Sequence, residues 1–149
     1  MMLRPHHLLD IISGYGHGQK FKPHPYGHAV HIVAQAVLAN LDLEMQFVVA
    51  ADDICKPCTH LQPTGQCDDV VGSLSPRVSK QAYNDQLDRR LLIYLEFPEH
   101  AVMTARQFLQ IVDKKLPGLE IICAHPKETH EYRLKGLVDG LRKLGIRSA

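Results

Sequence analysis

A mainly α fold with a short β element, an α+β arrangement in one compact domain over residues 1–149, follows from three properties of the chain. Four or five stretches carry apolar residues or capping signals at helical spacing, and a single short run is β-prone. The length suits one hydrophobic core rather than two. A cysteine-rich loop interrupts the helical pattern, and a lone cysteine near the C-terminal region is placed to staple that loop to the last helix.

The elements read in order as follows. Pro5 suits a first helical turn, so His6 to Ser13 is expected as a short helix ended by Gly14, with His6 and Asp10 on one face. Gly14 to Gly27 is too rich in glycine and proline for regular structure. Tyr26 to Leu41 places Val30, Val33, Ala34, Val37 and Leu41 on one helical face and His28, His31 and Gln35 on the other. Met45 to Ala50 is β-prone and delivers the chain to Asp52-Asp53-Ile54-Cys55. Ser79 to Leu95 has helical composition, and Thr104 with Gln107 forms a capping-box signature for a helix to about Lys115. Leu119 to Cys123 is expected as a brief extended piece. Glu128 to Leu144 aligns Leu134, Leu137, Val138, Leu141 and Leu144, and Gly145 stops it.

Bulk properties exclude more than they assign. Seventeen basic residues against sixteen acidic ones provide no field to gather nucleic acid or anionic lipid. No apolar run approaches the roughly 20 residues that span a bilayer, and Met1 to His7 lacks the apolar centre of a signal peptide. The expectation is a cytoplasmic protein with no nucleic-acid or membrane partner. In a reducing compartment, clustered cysteines serve metals or catalysis more often than disulfides.

The chain has four cysteines. The two-residue gap in Cys55-Lys56-Pro57-Cys58 lets both thiolates converge on one metal centre, and Cys67 follows in the same loop after Pro63 and Gly65. Cys123 stands far along the chain before Ala124-His125-Pro126, as a fourth ligand or as a buried free thiol. Structural zinc usually takes two paired knuckles, and here the second pair is absent, which suits a 4Fe-4S cluster whose corners are spread in space. His60 and His125 keep a mixed cysteine and histidine zinc site open.

The order of these motifs resembles a family of small bacterial and archaeal proteins, domain of unknown function twelve-eighty-four, for which iron–sulfur binding has been suggested. That family opens with Arg-x-His-His-Leu-Leu-Cys, continues with Asp-x-Ile-Cys-x-x-Cys and a further cysteine, and has a late Ile-Cys element. The chain has Arg4-Pro5-His6-His7-Leu8-Leu9-Asp10, Asp52-Asp53-Ile54-Cys55-Lys56-Pro57-Cys58, Cys67 and Ile122-Cys123. It departs at Asp10, where the family pattern has cysteine, and after Cys123, where the paired thiols are missing. The resemblance implies one cluster on Cys55, Cys58, Cys67 and Cys123, with Asp10 as an oxygen ligand or as the carboxylate that orients His6 or His7. The second role is favoured because four thiolates already complete one cubane.

His6 and His7 are the candidate proton-handling residues, with Asp10 one turn away. They equally suit hydrogen bonding of the loop to the first helix. His17, His24, His28 and His31 lie in or just after the glycine-rich loop and could collect into a second site, while Tyr15, Phe21 and Tyr26 could lid a pocket or pack on the core. The leading expectation is therefore a small iron–sulfur protein acting in electron transfer with a redox partner protein, or in a cluster-dependent reaction on a small-molecule substrate. Its rivals are a zinc-stapled interaction module and a metal-dependent hydrolase or lyase using His6 or His7 as acid or base.

Overall fold

The computed structural model describes residues 1–148, and its architecture grows from a very short parallel pairing near the N-terminus. Strand β1 (Met2–Leu3) lies parallel to β2 (Glu44–Phe47), with Met2 opposite Gln46 and Leu3 opposite Phe47. On its other edge β2 pairs antiparallel with β5 (Val102–Thr104). Because β1 and β2 run the same way, the segments that follow them leave the sheet on the same side. Residues Arg4 to His7 thereby emerge beside Asp52 to Cys55, and the Asp53 N–H donates to the Met2 carbonyl at 3.1 Å.

Pro5 opens helix α1 (Pro5–Gly16), where its missing N–H leaves nothing unpaired. Leu8, Leu9, Ile11 and Ile12 bury completely or nearly so. The helix does not stop at Gly14 as its composition suggests; it runs to Gly16. Gly14 lies within the helix and makes room for the Gln19 and Phe21 side chains, and Gly16, its last residue, admits a neighbouring helix. A side chain at Gly16 would strike the Gly136 carbonyl at 1.9 Å, and one at Gly140 would strike the Ile12 carbonyl at 2.3 Å. Helix α6 (His130–Lys143), capped by the Thr129 hydroxyl, therefore packs against α1 at backbone distance. Leu137 and Leu141 enter the core from that seam.

Helix α2 is shorter than its apolar periodicity suggests, spanning Val30–Ala39, because Gly27 adopts φ +76° and the chain is still turning there. Its expected face, Val33, Ala34 and Val37, is buried. A small antiparallel pair, β3 (Val70–Val71) and β4 (Val78–Ser79), precedes α3 (Lys80–Leu95), which Ser79 caps. Helix α4 (Ala105–Lys114) starts at a complete capping box, Thr104 accepting from the Gln107 N–H and Gln107 accepting from the Thr104 N–H. Phe47 and Phe108 stack at 4.5 Å where β2 meets α4.

Leu119 to Cys123 is not extended; it forms the short helix α5 (Leu119–Cys123). The buried Glu120 carboxylate accepts the Gly118 N–H and tightens the turn, an arrangement that only the folded chain reveals. No helix among the described residues is long and apolar enough to cross a membrane.

Candidate metal centre

The cysteine loop is shaped by a fully buried carboxylate. Asp52 accepts the Arg4 N–H at 2.7 Å, the Ile54 N–H at 3.1 Å and the Cys55 N–H at 3.2 Å. Those bonds wind the chain into a turn, continued by the Cys58 N–H on the Cys55 carbonyl at 2.9 Å. A narrow hairpin follows, turned by Gly65 at φ +81° and closed by the Gln62 N–H on Gln66, which brings Cys67 opposite Leu61. Cys67 is anchored to α3 through its N–H on Gln81 at 2.8 Å. Cys123 reaches the same region from the end of α5, buried.

All four cysteines line one cavity of about 690 Å³. Their sulfurs do not converge as the ligands of a single ion would. Among the described residues, the ligand atoms that do converge, within 4.8 Å of one another, belong to His7, Asp52 and Cys55. Burial, reinforced by the Asp52 carboxylate, pushes the Cys55 thiol up to about 12, so a metal must displace its proton. Burial also raises the Cys123 thiol, and Arg133 offsets part of that rise.

His6 and His7 both face this cavity, their rings 4.3 Å apart. Each is held by a carboxylate from elsewhere in the chain. His7 Nδ1 bonds Asp52 at 2.7 Å, and His6 Nδ1 bonds both oxygens of Asp88 at 2.9 Å. Asp88 is completely buried and also receives the Arg4 guanidinium at 3.0 Å, while Asp85 takes the other arm of Arg4 at 2.8 Å. A carboxylate on Nδ1 fixes the tautomer and leaves Nε2 for a proton, a metal or a ligand. Burial pulls the His7 imidazole down, but Asp52 outweighs it and the net shift is upward. The same imidazole holds Asp52 down at about 2 against its own burial.

Asp10 does not orient either histidine. Its partner is Arg133 of α6, which is buried and also contacts Glu128 at 3.5 Å. The reason is electrostatic: a guanidinium removed from water needs a carboxylate, whereas the Nδ1 atoms of His6 and His7 are already satisfied. Arg133 Nε in turn donates to the Cys123 sulfur at 3.4 Å.

The remaining histidines do not assemble into a second ligand set among the described residues. His17 stacks on Tyr132 at 3.8 Å and bonds its carbonyl through Nε2, a contact within the α1–α6 seam. His24 and His28 stack at 4.4 Å, and the Nδ1 atoms of His28 and His31 are buried without partners. His60 bonds Asp68 at 2.7 Å and lines the cavity, as does Tyr26, whose ring meets His60 edge-on; Phe21 packs on the core. His125 also lines the cavity, with Nδ1 accepting from the Lys127 N–H.

Asp85, Asp88 and Arg133 hold Arg4, His6, Asp10 and Cys123 in the cavity wall, and the motifs alone do not single them out. The trace of Asp88 was present: it precedes Leu91, Leu92 and Leu95 at helical spacing and so lies on the buried stripe of α3. Comparison of the chain with protein-family models, curated proteins and solved structures gives no match in any of the three.

Proposed function

We propose that the protein binds one 4Fe-4S cluster on Cys55, Cys58, Cys67 and Cys123 and uses it in a reaction on a small molecule held in the same cavity. The observation that carries this reading is that four cysteines from two distant parts of the chain line a single cavity. The donor set fits the group: thiolates are its ordinary ligands, and sulfurs set around a space suit a cubane better than one ion. The resemblance in motif order to the twelve-eighty-four family points the same way.

A small-molecule reaction is favoured over simple electron transfer by the cavity and its histidines. The inorganic core of a cubane fills only part of about 690 Å³, a size within the usual range of ligand pockets. His6 and His7, each fixed through Nδ1, present oriented imidazoles to that space and would hold or move a proton at Nε2. When bound, the cluster would supply electrons or polarise the ligand. A carrier that only exchanges electrons with a redox partner protein has no need of such a wall.

A second reading has one observation of its own, the convergence of His7, Asp52 and Cys55, which suits a single zinc or iron ion serving a stapled module or a hydrolase. The bonds already made by Asp52 weigh against it, since ligation would compete with three backbone N–H groups and His7.

Anaerobic purification with iron and sulfide analysis separates the two. The expected protein is brown, with iron and inorganic sulfide in equal amounts and a broad absorption bleached by oxygen, because iron–thiolate bonds absorb there and zinc has no such transitions. A colourless protein loaded with zinc overturns the cluster.

A further inference from the structure

Arg133 occupies an unusual place for a buried cation, because it touches a sulfur. Its Nε donates to Cys123 Sγ at 3.4 Å, its Nη2 to Asp10, and its Nη1 lies 3.5 Å from Glu128. We infer that Arg133 is a positioning residue that raises the reduction potential of the cluster through Cys123, and that Asp10 moderates it by partly neutralising the guanidinium. This rests on the cluster reading above.

The geometry supports each half. Arg133 has only 5% of its side chain exposed, so its charge acts on Cys123 through a poorly screening medium. Reduction adds negative charge to the cluster and its thiolates. A hydrogen bond and a positive charge on a ligand sulfur therefore stabilise the reduced form more than the oxidised one. Asp10, at 52% exposed, is half in water, so its opposing effect is real but weaker. The arrangement is held from behind by the α1–α6 seam. Gly136 follows Arg133 by three residues, and the absence of a side chain there lets the α6 backbone close on Ser13, keeping Arg133 against Asp10.

The Asp10 position is where the chain parts from the motif it otherwise follows, and this contact gives that carboxylate a task other than ligation. Asp10 binds the residue that binds a ligand. Its substitution should therefore alter the electronic properties of the cluster and leave its composition intact.

The test is an anaerobic redox titration of reconstituted wild type, Arg133→Gln, Arg133→Lys and Asp10→Asn, each first shown to hold equal iron and sulfide. Arg133→Gln should weaken reduction about tenfold, which for one electron is a fall of ~59 mV. Asp10→Asn should shift the potential the opposite way by a smaller factor, and Arg133→Lys, which keeps the charge without the rigid fork, should fall between wild type and Arg133→Gln. Opposite signs for Asp10 and Arg133 would not arise from a general loosening of the fold. If Arg133→Gln fails to fold, Arg133→Lys and Asp10→Asn decide. Fully loaded variants with unmoved potentials, or an Asp10→Asn shift in the same direction as the arginine variants, overturn the inference and leave the cluster reading standing. A wild type that takes up no iron and sulfide removes both.

Discussion

Asp52 shows how much one side chain can organise. Its oxygens accept from three backbone N–H groups and from His7, so it joins the start of α1 to the cysteine loop before any metal is involved. Its folded value of about 2 lies below the ordinary value near 3.9. The carboxylate therefore stabilises the fold fully above about pH 4, and that contribution is lost as pH falls toward 2. His7 has the opposite sign: its value is raised, so its contribution is complete below about 6.5 and is lost as pH rises through the folded value. In metal-free protein, Asp52→Asn should cost ~3 kcal/mol at pH 7 in urea unfolding, with the gap to wild type closing as pH falls from about 4 to about 2. A gap that stays constant with pH would mean that the carboxylate charge is not what holds the loop.

At the scale of elements, the decisive contact is the glycine seam between α1 and α6. Intrinsic propensity predicts that Gly140→Ala stabilises α6 by ~1 kcal/mol. The structure reverses that sign, because the new methyl would lie 2.3 Å from the Ile12 carbonyl and 2.9 Å from the Ile12 side chain. Overpacking of a tight seam typically costs about 1–3 kcal/mol, so thermal unfolding of Gly140→Ala should show net destabilisation. A variant as stable as wild type would mean that the helices can separate without loss. The same seam explains what was legible beforehand. The composition of Ser79 to Leu95, the pairing of Thr104 with Gln107 and the leucine stripe of the last helix announce their elements through local chemistry, and those three helices form as expected. Gly14 misleads because a glycine admitted for packing looks the same in sequence as one that ends a helix. Strand β1 has two residues and no periodicity to read, and α5 depends on Glu120 folding back onto Gly118.

The candidate site was legible in the local spacing of Cys55, Cys58 and Cys67 and in the adjacent His6 and His7, whereas Cys123 stands far from them in the chain. It was not legible in its charges. Arg133 and Asp10 are 123 residues apart, and His6 and Asp88 are 82 apart, so their pairing exists only once β1 and β2 have aligned and α6 has closed on α1. A charged residue gives no sign in sequence of whether it will be buried, since that depends on a partner supplied by the fold.

Across the whole molecule, with the proposed cluster bound, stability should divide between a hydrophobic unit and a metal-dependent one. The α1–α6 seam, the Phe47–Phe108 stack and the three-stranded sheet are held by apolar burial in one core, to which Cys123 belongs and the three cysteines of the loop do not. The segment from Cys55 to Ser79 has two two-residue strands and one buried apolar side chain, Val71. A shared metal centre would tie this segment to α5 through Cys123, and its binding energy would then be folding energy for that part alone. Hydrogen exchange on loaded and chelator-treated protein should therefore diverge regionally. Amides of the Cys55–Ser79 segment and of Leu119–Cys123 should lose protection when the metal is removed, while those of α1 and α6 should change little. Cys123→Ser in the presence of metal should expose Leu119–Cys123 without exposing the loop to the same degree, since three thiolates there remain joined. Uniform loss of protection over the whole chain on chelation would show instead that the metal supports the entire core. No change anywhere would show that it joins nothing.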